Sequence, residues 1–91
     1  MKIEYKYVRL YNKKNNMTLY GIEVQSYIFD GFEVFLTEDD CDTWFDDFFD
    51  TTEALGFEFR YNQDLTRNKA IYDMYEKAET LKITGGKVYI G

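Results

Sequence analysis

Over its first 36 residues the chain alternates with a period of two, and this pattern constrains the fold more than any other feature. In residues 2–11, Ile3, Tyr5, Tyr7 and Tyr11 share one side, while Lys2, Glu4, Lys6, Val8 and Leu10 share the other. Successive side chains of a strand point to opposite faces, so alternation rich in aromatic and β-branched residues predicts a strand. The run Asn12-Lys13-Lys14-Asn15-Asn16 reads as a turn, and the alternation resumes over residues 17–28. Asp30-Gly31 predicts a hairpin turn, because glycine accepts the positive φ such a turn requires. Residues 32–36 then form a third strand, giving an antiparallel meander.

At Thr37 the period changes from two to that of a helix. Thr37 is suited to the N-cap, with Asp40 placed to reach back as in a capping box. Cys41, Trp44, Phe45, Phe48, Thr52 and Leu55 follow at helical spacing and make one apolar stripe. Gly56 is placed to stop the helix, and Thr51-Thr52, both poor helix formers, mark an expected break. Residues 56–61 alternate again and predict a fourth strand. A second helix is expected over residues 64–80 with Ile71, Met74, Tyr75 and Ala78 facing inward, followed by a closing hairpin over residues 81–90 turned at Gly85-Gly86. The expected fold class is α+β: an antiparallel sheet in the order βββ-α-β-α-ββ with both helices packed on one face. With 91 residues, no proline and no Gly/Ser-rich stretch to mark a linker, residues 1–91 read as one domain. A chain of this length buries only about 60–65% of its unfolded surface. Its 20% aromatic content is what makes a real core attainable.

The net charge of −6 is distributed unevenly. Eight of the 17 acids lie between Glu38 and Glu53, namely Glu38, Asp39, Asp40, Asp42, Asp46, Asp47, Asp50 and Glu53, and no base lies among them. The remaining nine acids face 11 bases, so the rest of the chain carries +2. On a helical wheel the acids lie opposite the apolar stripe. Asp39, Asp42, Asp46, Asp50 and Glu53 form a row at spacings of three and four, where like charges repel by about 0.2–0.5 kcal/mol per pair. A helix shaped for stability alone would intersperse lysine. A row of carboxylates instead suits a groove built for phosphate, so the expected partner is a protein with a basic, nucleic-acid-binding groove. The expected partner-binding residues are Glu38, Asp39, Asp42, Asp46, Asp47 and Asp50, with Phe49 at the edge of the stripe as an aromatic anchor. The competing use of this face is solubility alone. Residues 1–14 are the counterweight, with five bases against Glu4. They are available to pair with the acidic helix or to make a second contact.

Catalytic chemistry finds no support. Histidine is absent, which removes the usual general base and the commonest metal ligand. Ser26 is the only serine and has no nucleophile elbow around it. Cys41, the single cysteine, sits on the apolar stripe, where it reads as a small core residue. Glu38-Asp39-Asp40-Cys41-Asp42 lacks the spacing and glycine of a calcium loop. No phosphate-binding glycine motif is present. The reading is therefore noncatalytic, with neither cofactor nor metal. The N-terminal residues read as a strand rather than a signal peptide, and no apolar run approaches a membrane span. With a lone cysteine, this gives a cytoplasmic expectation, and Asn16-Met17-Thr18 is then a chance match to a glycosylation sequon.

In size, acidity and clustered carboxylates the chain resembles the small acidic proteins that phages and mobile elements use against host defences, such as anti-CRISPR and anti-restriction proteins. The resemblance is one of kind and assigns no residue a role. It implies a nucleic-acid mimic that inhibits a host protein. Two other classes compete. One is a self-associating module that forms a homo-oligomer through the edge of the closing hairpin. The other is a nucleotide binder using the aromatic residues with Arg9, Arg60 and Arg67. Direct nucleic-acid binding through Tyr5, Tyr7 and Tyr11 is disfavoured by the overall acidity.

Overall fold

The computed structural model describes residues 1–91. The first three strands are β1 (Lys2–Asn12), β2 (Met17–Ser26) and β3 (Asp30–Phe35). Helix α1 (Glu38–Glu53), strand β4 (Glu58–Tyr61), helix α2 (Lys69–Lys77) and the hairpin β5 (Leu81–Thr84)–β6 (Lys87–Ile90) follow. This is the α+β class and the element order that the periodicity predicts. All six strands join one sheet in the order β4-β1-β2-β3-β6-β5. No helix is long and apolar enough to cross a membrane.

The sheet is mixed, which corrects the expectation of a purely antiparallel one. β4 runs parallel to β1, with Ile3 opposite Phe59 and Tyr5 opposite Tyr61. The cause is α1. It carries the chain back from the end of β3 over β2 and β1, so the next strand starts again in the direction of β3 and β1.

The two helices also lie on opposite faces, not on one. In β2, Ile22 and Val24 belong to the cluster with Cys41 and Phe45 of α1, whereas Leu19 belongs to the cluster with Tyr72 of α2. Residues of opposite parity in a strand face opposite ways. Topology supplies the reason. The β3-α1-β4 and β4-α2-β5 connections cross the sheet in opposite directions, and parallel crossovers are almost always right-handed. Two crossovers of one hand that travel in opposite directions must cover opposite faces. β2 is therefore covered on both sides, and Gly21, Ile22, Glu23 and Val24 are buried in succession.

Two boundaries move. The hairpin between β2 and β3 turns at Tyr27-Ile28, not at Asp30-Gly31. The Ser26 N–H donates to the Phe29 carbonyl at 2.7 Å, and Ser26 Oγ accepts from the Ile28 and Phe29 amides. Asp30 and Gly31 are already paired within the sheet, opposite Gln25 and Val24. The serine side chain supplies locally the turn that the glycine suggested. The second helix is shorter than predicted, Lys69–Lys77, and is rotated so that Tyr72 is buried and Met74 is exposed. At Gly85-Gly86 the expected turn forms, with φ of 57° and 84°. These are the two positive values of a type I′ turn.

Helix α2 is held at both ends by buried polar residues of the sheet. Its N-cap, Asn68, makes no side-chain cap bond. Instead the fully buried Glu23 carboxylate accepts from the Asn68 amide at 3.1 Å, from Asn68 Nδ2 at 3.2 Å and from the Tyr72 hydroxyl. At the other end the fully buried Asn12 donates through Nδ2 to the carbonyls of Tyr75 (2.7 Å) and Ala78 (2.9 Å). The orphan groups of a short helix are thus satisfied from outside it.

Candidate functional site

Helix α1 forms because local and tertiary signals agree. Thr37 is extended and its Oγ1 accepts from the Asp40 amide at 3.1 Å. Glu38, Asp39 and Asp40 occupy the first turn, where carboxylates suit the positive end of the helix dipole. Cys41, Phe45 and Thr52 are buried against the sheet, and Trp44, Phe48 and Phe49 are half-buried at the margins. The helix runs through Thr51-Thr52 without the expected break. Thr52 turns its hydroxyl onto the Phe48 carbonyl, and its burial holds the turn in place.

All eight acids of α1 are exposed. The chain contains two ion pairs, Lys14–Glu79 and Lys87–Glu33, and neither involves α1. The basic N-terminal strand makes no ion pair with the acidic face. Lys6 donates to the Leu65 carbonyl on the α2 side, Lys14 reaches Glu79, and Arg9 lies over the Tyr20 ring. At 1.5 Å per residue the eight charges span about 22 Å, or one per about 3 Å. One strand of duplex DNA carries a charge every 3.4 Å or so along its axis. The carboxylates run along the helix without converging, and no three His, Cys, Asp or Glu side chains are grouped to hold a metal.

The aromatic residues around this face divide. Phe49 is half-buried, with its ring 4.6 Å from Phe59 of β4. On the opposite margin Trp44 and Phe48 stack 5.2 Å apart at an interplanar angle of 7°. They line a groove of about 420 Å³ with Asp47, Thr51 and Leu55, the last 72% exposed. Sequence periodicity placed Trp44, Phe48 and Leu55 in the core stripe. It missed their role as an apolar margin to the acids, because a stripe has edges that only the width of the underlying sheet defines.

At the start of α1 a second feature opens. A cleft of about 450 Å³ lies between Tyr7, Arg9 and Tyr20 of the sheet and Glu38, Cys41 and Asp42 of the helix. Burial raises the Tyr7 phenol well above its ordinary range, and the charges of Asp42, Cys41 and Asp46 add to that. Burial also pushes the Cys41 thiol up to about 12, assisted by Asp42 and Glu38. Cys41 is thus a protonated, buried side chain rather than a nucleophile. The tyrosines of β1 do not form one open platform. Tyr5 packs against Phe45 at 4.8 Å, whereas Tyr7 and Tyr11 are partly exposed. The hairpin strand β5 lies at the sheet edge with Ile83 45% exposed, and Lys82 sits at the centre of that edge.

Comparisons with protein-family models, with curated proteins and with solved structures found no match. The functional reading accordingly rests on the geometry of this chain alone.

Proposed function

We propose that the protein is a noncatalytic inhibitor or adaptor whose acidic helix engages the basic, nucleic-acid-binding groove of a partner protein. Glu38, Asp39, Asp42, Asp46, Asp47 and Asp50 make the contact, and Phe49 or the Trp44–Phe48 margin on the other side of the helix anchors it. One observation carries the reading: eight exposed carboxylates on one helix form no ion pair within the chain. Their linear charge density, comparable with that of a nucleic-acid strand, supports mimicry of phosphate. A partner groove lined with Lys and Arg would exchange its counter-ions for these carboxylates, so affinity would fall steeply with salt. Anti-CRISPR and other phage anti-defence proteins are the class of activity this fits.

The test is a pull-down from host lysate with wild type and with a variant carrying Asp39→Asn, Asp42→Asn, Asp46→Asn and Asp50→Asn, both checked for folding by circular dichroism. Capture of a nucleic-acid-binding protein by wild type alone, reversed by salt and by a competing oligonucleotide, is the expected result. Capture of the same partner by both baits, or salt-insensitive capture, would overturn it.

A further inference from the structure

The cleft at the start of α1 has the chemistry of a receptor for one particular side chain. Tyr7 and Tyr20 line its sheet wall, and the exposed acids Glu38 and Asp42 line its helix wall. Neither carboxylate is ion-paired. Counting Arg9, the three charged lining residues sum to −1, and the charge of Asp46, one turn further along α1, adds to the negative field at Tyr7. A cleft of this sign rejects phosphate and attracts a cation.

The shape of the cation follows from the walls. Aromatic faces beside carboxylates suit a planar guanidinium, which stacks on a ring while its edge donates to oxygen. The chain itself already places such a group there. The Arg9 guanidinium carbon lies 5.7 Å from the centre of the Tyr20 ring, yet Arg9 makes no ion pair with either carboxylate. Arg9 therefore occupies the ring face and leaves the oxygen acceptors of the cleft free.

We infer that this cleft takes an arginine side chain of the partner, inserted between Tyr7, Tyr20, Glu38 and Asp42 with Arg9 displaced from the Tyr20 ring. The inference rests on the acidic-helix reading and deepens it: the rest of the row supplies long-range attraction and the cleft adds a specific contact beside the aromatic anchor. Buried arginines are frequent hot spots at protein interfaces, and those that bind phosphate are the ones a mimic would have to capture.

The probe is acetyl-Gly-Arg-Gly-amide, with acetyl-Gly-Lys-Gly-amide as its counterpart, followed by amide chemical shifts at low salt. The arginine peptide is expected to shift Tyr7, Tyr20, Gly21 and Asp42 selectively, and the lysine peptide to bind more weakly. Asp42→Asn should weaken arginine binding roughly fivefold, the upper range for an exposed charge pair, and Asp50→Asn should leave it unchanged. Arg9→Gln should tighten it, because the ring face is vacated and a like charge removed. All three substituted residues are exposed, so the fold is expected to tolerate the changes. Shifts spread evenly along α1, equal losses in Asp42→Asn and Asp50→Asn, or weaker binding in Arg9→Gln would each overturn the inference. Those outcomes leave the acidic-helix reading intact, because a pull-down with Asp39→Asn, Asp46→Asn and Asp50→Asn, which keeps both cleft carboxylates, tests it separately. If that variant still captures the partner, the broader reading fails instead.

Discussion

Replacing Asp46 by lysine tests whether the carboxylates of α1 work against the stability of their own helix. Asp46 lies four residues from both Asp42 and Asp50, is exposed, and has no cationic partner within the chain. Each like-charge pair at this spacing costs about 0.2–0.5 kcal/mol, and an opposite pair gains a similar amount. Asp46→Lys converts two repulsions into two attractions, about 0.8–2 kcal/mol in all, and lysine adds a few tenths through higher helix propensity. The expected gain is therefore about 1–2 kcal/mol at low ionic strength, a rise in Tm of roughly 4–16 °C for a chain of this size. Trp44, the single tryptophan, stacks on Phe48 at the margin of the helix and reports unfolding by fluorescence in a urea titration. Asp46→Gln should give the smaller part of the gain, since it removes repulsion without adding attraction. In about 1 M salt, where the Debye length is roughly 3 Å, most of the difference should disappear. Partner capture should weaken in the same variant. A stabilised protein that binds less well means the row is kept for function at a cost in stability. Destabilisation by Asp46→Lys, or a gain undiminished by high salt, would refute the electrostatic argument.

Two further outcomes follow from buried groups. Glu23→Leu strands the Tyr72 hydroxyl and the Asn68 amide, each worth about 1–3 kcal/mol if left unsatisfied, so urea unfolding should show a loss of several kcal/mol. Adding Tyr72→Phe should recover part of that loss, whereas strict additivity of the two substitutions would count against a shared network. The Cys41 thiol has a folded pKa near 12 against an ordinary 9.0. Its contribution is thus fully present below about pH 9 and is lost as pH rises through the folded value. The urea midpoint should fall with rising alkalinity and fall less steeply in Cys41→Val. A midpoint that holds constant above pH 9 or so would contradict the assignment.

Much of this structure is legible from local pattern. Period two over the first strands, the Thr37 cap and the stripe through Cys41 and Phe45 are written in residues that are near neighbours along the chain. So is the separation of the acids from the stripe: opposite arcs of a helix are a property of its own pitch, and the acids lie on the arc away from the sheet. Signals failed where a distant residue settled the matter. Asp30-Gly31 reads as a turn until Ser26 is seen to make one earlier. Ile71 and Met74 read as the inner stripe of α2 until Glu23, an acid that alternation gives no reason to bury, claims Tyr72 from the sheet.

The sequence by itself therefore determined the types and order of the elements, the position of α1 and the sign of its outer face. These depend on spacings of two, three and four residues, within which the chain cannot rearrange. Only the tertiary structure decided that the helices lie on opposite faces, that β4 runs parallel to β1, that the basic strand leaves the acids unpaired, and that Tyr7, Tyr20 and Asp42 enclose one cleft. Each of these depends on which strand a crossover reaches. That is fixed by the hand of the connection and by burial on both sides of β2, quantities that belong to the whole sheet and to no single segment.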